Sequence, residues 1–214
     1  RYDGASFRVF NKEGQTALSA NELNRTCADT INNVLWIATQ RHGLDRLDCN
    51  SYKLQNYAHD GGNPNSIGSD GVTDVIVDTP RRCLWVSTYT DGLDRFDPTT
   101  GVFEHFNSRT LPDWPDNQLW CVALGNNGNV LTGHVGAGFT VLDPERRRVR
   151  NFRHIPADPQ SLPGNQVRSV LVDSYRNIWV GTDEGLALFD EPSGTFTCFE
   201  PDDNGTLGTG APHN

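Results

Sequence analysis

The chain writes Ile178-Trp179-Val180-Gly181-Thr182-Asp183-Glu184-Gly185-Leu186-Ala187-Leu188-Phe189-Asp190, and it writes this pattern more than once. Earlier copies read Leu84-Trp85-Val86-Ser87-Thr88-Tyr89-Thr90-Asp91-Gly92-Leu93-Asp94-Arg95-Phe96-Asp97 and Leu35-Trp36-Ile37-Ala38-Thr39-Gln40-Arg41-His42-Gly43-Leu44-Asp45-Arg46-Leu47-Asp48. A degenerate copy runs from Val130-Leu131-Thr132-Gly133 to Gly138-Phe139-Thr140-Val141-Leu142-Asp143, with Leu131 in place of Trp. The loop glycines Gly43, Gly92, Gly138 and Gly185 stand 49, 46 and 47 residues apart. Self-similarity at such a period signals a repeat architecture.

Each copy reads as two short strands around a turn. The first is apolar, with a central Trp and a small residue two positions on (Ala38, Ser87, Gly133, Gly181). The second follows the glycine and ends on an aromatic or Leu and then Asp. Short runs rich in Val, Ile, Thr and Trp between Gly and Asp are strand signals, and no helical spacing competes. Upstream of each pair lies another apolar strand, at 23–28, 72–77, 119–124 and 167–172, usually closing on Asp (Asp29, Asp78, Asp173; Gly125 in the odd copy). Downstream, Leu54 and Tyr57, Phe103 and Phe106, Val149 and Phe152, and Phe196 and Phe199 mark a fourth. Four antiparallel strands per repeat describe a propeller blade, so the expected fold is all-β, a partial ring of such blades. Trp36, Trp85 and Trp179 repeat in register and are expected to pack between neighbouring blades. Trp114 and Trp120 break register, and the repeat does not explain them.

Taken in order, residues 1–10 match the tail of a preceding blade: Tyr2 and Asp3 align with Leu47 and Asp48, and Phe7 and Phe10 with Leu54 and Tyr57. Blades are expected at 21–57, 70–106, 117–152 and 165–199, joined by Asn/Pro/Ser/Gly-rich links. Residues 200–214 read as a further link toward a next blade. The expectation is a piece of a longer array, or chains that pair to cover their open blades, because uncapped repeats leave apolar faces in water.

Net charge of −9 argues against nucleic acid or an anionic membrane as partner. No apolar run approaches the length of a membrane span. The basic run Arg146-Arg147-Arg148-Val149-Arg150 is expected to be a solvated outer edge that discourages stray strand pairing. Cys27, Cys49, Cys83, Cys121 and Cys198 occupy different places in the repeat and show no metal or disulfide spacing. The six histidines are likewise scattered, so neither a metal nor a cofactor is expected.

The run Pro159-Gln160-Ser161-Leu162-Pro163-Gly164-Asn165-Gln166-Val167-Arg168-Ser169-Val170-Leu171-Val172-Asp173, then Asn177-Ile178-Trp179-Val180-Gly181-Thr182 and Gly185-Leu186, resembles the two-component regulator propeller repeat. Linker, first-strand, Trp and Gly-Leu segments recur in that order over nearly the whole chain. The resemblance implies the periplasmic sensor region of a hybrid histidine kinase of Bacteroides-type bacteria. In such proteins propellers precede a membrane helix and cytoplasmic signalling parts, and oligosaccharides are the usual ligands. None of the kinase parts lies in this sequence, so the chain itself is not expected to be an enzyme. It implies as partners an oligosaccharide, the rest of the sensor ectodomain and a second copy in a homodimer, with membrane attachment only through segments of the parent. Asp183-Glu184-Gly185-Leu186 faintly resembles the acidic turn of a kinase ATP lid, but the segment recurs as a strand connection, which argues against nucleotide binding.

In a propeller, the links entering each first strand and the loops between second and third strands surround one mouth of the channel. Concave mouths favour sites, and variable loops on a constant scaffold carry function. The middle loops differ here: Gln40-Arg41-His42, Tyr89-Thr90-Asp91, His134-Val135-Gly136-Ala137 and Asp183-Glu184. Aligned first-strand positions add Asn24, Thr73, Trp120 and Arg168. Sugars need aromatic platforms for C–H faces and polar or charged partners for hydroxyls. The expected ligand residues are therefore Trp120, Arg168, Tyr89, Asp91, Arg41, His42, His134 and Asp183. A carbohydrate-active enzyme is the competing reading; it needs two carboxylates about 5–10 Å apart, with Asp91 and Asp183 or Glu184 the nearest candidates. A protein-binding scaffold is a third.

Overall fold

A computed structural model describes residues 4–6, 9–13, 17–201 and 207–209. The first blade holds β1 (Leu23–Asp29), β2 (Val34–Thr39), β3 (Leu44–Asp48) and β4 (Leu54–Tyr57). The second holds β5 (Val72–Asp78), β6 (Cys83–Thr88), β7 (Leu93–Asp97) and β8 (Val102–Phe106). In the third are β9 (Leu119–Leu124), β10 (Val130–His134), β11 (Phe139–Asp143) and β12 (Arg148–Phe152). The fourth has β13 (Val167–Val172), β14 (Ile178–Thr182), β15 (Leu186–Asp190) and β16 (Thr195–Pro201), and β17 (Leu207–Thr209) pairs with β16 as an added outer strand. Every sheet is an antiparallel meander in chain order. The first strands lie side by side, β1 against β5, β5 against β9 and β9 against β13, so they are the inner strands of a β-propeller arc.

The strand period of two gives each blade two faces, and both are used. Trp36 and Ala38 of the first blade pack with Leu84, Val86 and Phe96 of the second. Trp85, Leu93 and Phe106 pack with Val122, Val130 and Leu142 of the third. Leu131 and Phe139 pack with Ile178, Val180 and Phe189 of the fourth. Trp36 and Trp85 are thus inter-blade contacts, whereas Trp179 of the last blade is half-buried against Phe199 of its own sheet. Truncating a buried one costs about 3–5 kcal/mol. At the two ends of the row this pattern lacks its next layer. Leu35, Ile37 and Leu47 face outward beneath Leu18 and Phe10, and Leu171 on β13 is 62% exposed.

The Asp that closes a first strand has a second task besides the turn. Trp85 Nε1 donates to Asp78 Oδ2 at 3.0 Å, and Trp179 Nε1 donates to Asp173 Oδ2 at 3.0 Å. The third blade changes both partners together. Gly125 replaces the Asp, Leu131 replaces the Trp, and a Cβ on Gly125 would sit 3.0 Å from Leu131 Cδ2. Leu131 is fully buried, so this blade is packed, with a smaller apolar side chain and no indole to satisfy.

The recurring loop glycine answers a close approach. Gly43, Gly92 and Gly138 have φ of 74°, 87° and 84°, and a Cβ on Gly138 would lie 2.2 Å from Phe152 O. Their N–H groups donate to Asp70 O, Asn117 O and Asn165 O of the next link, each at 2.9 Å. A hydrogen bond from each blade to the next therefore passes through this glycine. The links are built alike: His59 and His154 donate from Nδ1 to Ile67 O and Leu162 O at 2.7 and 2.8 Å. These two histidines are thus in register, against the expectation that the histidines are scattered.

The basic run is exposed, as expected of a solvated edge, and also reaches its neighbours. Arg147 reaches Glu104 of the second blade at 2.9 Å and lies 4.9 Å over the Phe106 ring. Arg150 donates to Glu191 O of the fourth at 3.2 Å. The run clasps three blades, because long guanidinium side chains on an outer strand span the gap to either neighbour. The five cysteines are free thiols. Of the residues expected to form a preceding blade, Tyr2, Asp3 and Phe7 lie outside the described residues, while Phe10 packs 5.8 Å from Tyr52. Within 200–214, residues 202–206 and 210–214 also lie outside them.

Candidate functional site

The mouth is organised by four equivalent irregularities. In β1, Leu23 pairs with Thr39 and Arg25 with Ala38, which leaves Asn24 extra. The same skip occurs at Thr73 in β5, Trp120 in β9 and Arg168 in β13. A bulge leaves one residue unpaired, bends the strand and re-aims a side chain. All four are the aligned first-strand positions singled out from the sequence.

Two of these bulge residues serve the scaffold. Asn24 Nδ2 donates to Val72 O at 2.7 Å, and Thr73 Oγ1 lies 2.9 Å from Ser87 Oγ. The other two meet each other: the Arg168 guanidinium sits 5.1 Å over the Trp120 ring. Tyr89, 40% exposed, brings its ring to 5.5 Å from Trp120. Trp120 Nε1 is buried and has no hydrogen-bond partner. Beside this cluster is a hollow of about 540 Å³ lined by Asn24, Arg41, Thr73, Tyr89, Trp120 and the loop residue Thr90. The structure therefore groups Trp120 with Tyr89 and Arg168, and Arg41 lines the hollow that Trp120 and Tyr89 share.

Just past the bulges, one carboxylate ties three blades. Asp74 accepts Arg25 Nε of the first blade at 3.2 Å and the Val122 N–H of the third at 3.2 Å. Burial pushes its carboxyl up from the ordinary value, against the pull of Arg25 and these donors. Sequence reasoning missed Asp74. Its only signal was a charged residue inside an otherwise apolar first strand. Cys121, from the aligned position, is buried next to it, and burial raises its thiol to about 12. It is not a nucleophile at neutral pH.

The remaining expected ligand residues lie elsewhere. His134 belongs to β10 and is fully buried, with Nε2 2.8 Å from Thr140 Oγ1 and its ring 5.8 Å from Trp114. Burial lowers its pKa to about 4. It is a neutral core residue, because strand β10 continues one position further than the loop boundary expected. Trp114 is buried beside it and packs in the core between the second and third blades. Asp91 is 8% exposed and held by Arg109 Nη2 at 2.5 Å. It lines a separate hollow with His59 and His105, so it is not part of the Trp120 cluster. Asp183 sits against the link, where a Cβ on Gly164 would come within 2.9 Å of its Oδ1. His42 is exposed at a loop tip whose backbone is pinned by Thr39 and Asn56. With Asp91 engaged and Asp183 on a different link, the structure does not assemble them as a catalytic carboxylate pair.

With this geometry established, comparison with known proteins places the fold in a family context. The two-component regulator propeller family matches residues 161–184. The chain carries the two-component regulator propeller repeat. Among solved structures, it is similar to the extracellular domain described for the hybrid two-component system BT3049 of B. thetaiotaomicron, at 31% identity and a TM-score of 0.78. That match covers 97% of this chain and 27% of the other. The corresponding domain of BT4673 from the same bacterium, at 24% identity and a TM-score of 0.69 over 84% of this chain and 22% of that one, shares the fold. U3-55K, at 9% identity and a TM-score of 0.63 over 83% of this chain and 51% of that one, shares the fold alone. The chain thus spans about a quarter of the two bacterial domains it matches. No curated protein matches it in sequence. The matched segment contains Arg168 and Trp179, and Trp120 lies outside it. Among the described residues no helix is long and apolar enough to cross a membrane.

Proposed function

We propose that this propeller segment belongs to the extracytoplasmic, periplasmic sensor part of a hybrid two-component histidine kinase and contributes a binding surface for an oligosaccharide. The observation that carries the reading is the Trp120–Tyr89–Arg168 cluster beside an open hollow, in a fold shared with extracellular domains of two-component systems. Aromatic faces suit the C–H faces of sugar rings, and Arg41 supplies hydrogen-bond donors for hydroxyls. Signalling then follows from a ligand-dependent change in how two copies pack. A ligand shifts that equilibrium only by its differential affinity for the two arrangements. The kinase and the membrane segment belong to the parent protein, and this part contacts no nucleic acid.

Incubating the chain with a glycan library, while recording thermal shift and product formation together, tests the proposal. A shift without cleavage is the expected result. Turnover would move the assignment to a carbohydrate-active enzyme. The absence of both with every sugar would favour a protein-binding scaffold.

A further inference from the structure

The four bulge residues divide by whether the scaffold uses them. Asn24 and Thr73 spend their polar groups on neighbouring strands. Trp120 Nε1 has no partner, and Arg168 gives one donor to Gln166 Oε1 at 2.9 Å while its guanidinium plane lies over Trp120. Among the described residues, neither Arg168 nor Arg41 lies within ion-pair distance of a carboxylate. Of the nearby acids, two are paired with arginines, and Asp70 itself lines the hollow. Asp70 accepts the His59 N–H at 2.7 Å, Asp74 is held by Arg25, and Asp91 by Arg109. Asp183 and Glu184 pack against Gly164 in the link instead of lining the hollow. Arg41 thus shares the hollow with Asp70, whereas Arg168, over Trp120, has no carboxylate within ion-pair distance.

We propose that this site selects an acidic oligosaccharide, one whose sugar carries a carboxylate, with Trp120 and Tyr89 against the ring and Arg168 on the carboxylate. The inference rests on the oligosaccharide reading above and narrows it. A guanidinium presents a planar fork that matches a carboxylate with two parallel hydrogen bonds, and stacking on an indole holds that fork in place before the ligand arrives. Arg41 lines the hollow together with Asp70.

The test is titration calorimetry of the 214-residue chain with three probes of equal length: trigalacturonate, its fully methyl-esterified form, and a sulfated trisaccharide. The expected result is that trigalacturonate binds at least about tenfold more tightly than the ester, a discrimination that corresponds to one charge-assisted contact. Arg168→Gln, at an exposed position, should remove that preference, so that acid and ester bind alike. Equal affinity for acid and ester, or a preference that survives both Arg168→Gln and Arg41→Gln, overturns the acidic assignment and leaves the sugar reading standing. Tighter binding of the sulfated probe than of trigalacturonate overturns the carboxylate in favour of a sulfate. No binding of any of the three, with a thermal shift by some neutral glycan, also overturns the acidic assignment. No response to any sugar removes both readings.

Discussion

The second and third blades solve the same packing problem with different residues. In the second, Trp85 fills the space toward the next blade and its indole N–H is taken by Asp78. In the third, Leu131 fills the equivalent space and Gly125 stands where the Asp would be. The second blade buries Asp94 and satisfies it with His105 Nδ1 at 2.6 Å and the Gly68 N–H at 2.8 Å. The third has Thr140 there, satisfied by Asn151 Nδ2 at 3.1 Å and facing His134. These two blades keep a filled volume and a satisfied polar atom, whereas Trp36 Nε1 of the first is buried without a hydrogen-bond partner. Donor and acceptor change as a pair, because leaving one buried without the other costs about 1–3 kcal/mol.

The largest effects should come from breaking one of these pairs. Trp85→Ala is expected to cost about 3–5 kcal/mol in denaturant unfolding, since it opens a cavity and strips Asp78 of a donor. The sharper experiment is a cycle of Trp85→Leu and Asp78→Gly, which converts the second blade's pair into the third's. The double variant should cost less than the sum of the single ones by at least about 0.5 kcal/mol. Strict additivity would break the claim that the two positions act as a unit.

A smaller loss is expected at the loop glycine, and it should depend on whether a further blade follows. Gly138→Ala forces a Cβ to 2.2 Å from the Phe152 carbonyl at φ 84° and disturbs the N–H bond to Asn165. That should cost well over about 1 kcal/mol. At Gly185 the nearest atom to such a Cβ is Phe199 O at 3.4 Å. Gly185→Ala should therefore be milder in thermal unfolding. An equal loss at both positions would mean that φ alone, and not the close approach, sets the glycine requirement.

The two blades should also answer pH in opposite directions. Both ring nitrogens of His105 face oxygen acceptors, Asp94 Oδ1 and Pro64 O, so the ring is an imidazolium here. The hydrogen bond to Asp94 raises its pKa from 6.5 to about 9. A raised pKa gives stability that is full below about 6.5, the unfolded value, and is lost as pH rises through the folded one. His134 is the reverse case. Burial lowers its pKa from 6.5 to about 4, so unfolding takes up a proton between those values and stability falls as pH drops from 6.5. Chemical unfolding from pH 4 to 9 should show a maximum near the ordinary histidine value. His105→Asn, which imitates Asn56 on Asp45 in the first blade, should flatten the alkaline limb. His134→Thr, the residue type of Thr39 and Thr88, should flatten the acidic one.

Much of this was legible before any coordinates. The period of the Trp and Gly positions carries the blades, and the aligned first-strand residues Asn24, Thr73, Trp120 and Arg168 turn out to be the bulged ones. The direction of each loop side chain was not legible. Asp91 and Tyr89 stand two residues apart in one loop, yet one is drawn into a pair with Arg109 from the following link and the other faces Trp120. Such partners come from segments whose sequence is outside the repeat pattern, and alignment of copies cannot find them. His134 failed for a related reason: the strand ends one residue later than its polar type suggested.

Trp120 and Trp114, both in or before the third blade, bring the comparison down to two tryptophans outside the repeat register. Trp114 is buried between blades and packs with Leu111 and Leu119. Trp120 is only half-buried, on a bulge, against Tyr89 and Arg168. Trp114→Ala should therefore behave like any core truncation and lose about 3–5 kcal/mol. Trp120→Ala should have the smallest effect on stability of the variants considered, because solvent and the exposed side chains of Tyr89 and Arg168 can fill the space it leaves. Its effect should fall on binding, where loss of the aromatic platform should weaken a bound oligosaccharide about tenfold or more. Measuring unfolding and glycan affinity on the same two variants separates the roles. A Trp120→Ala protein as destabilised as Trp114→Ala, with affinity unchanged, would return Trp120 to the core and leave the mouth without its platform.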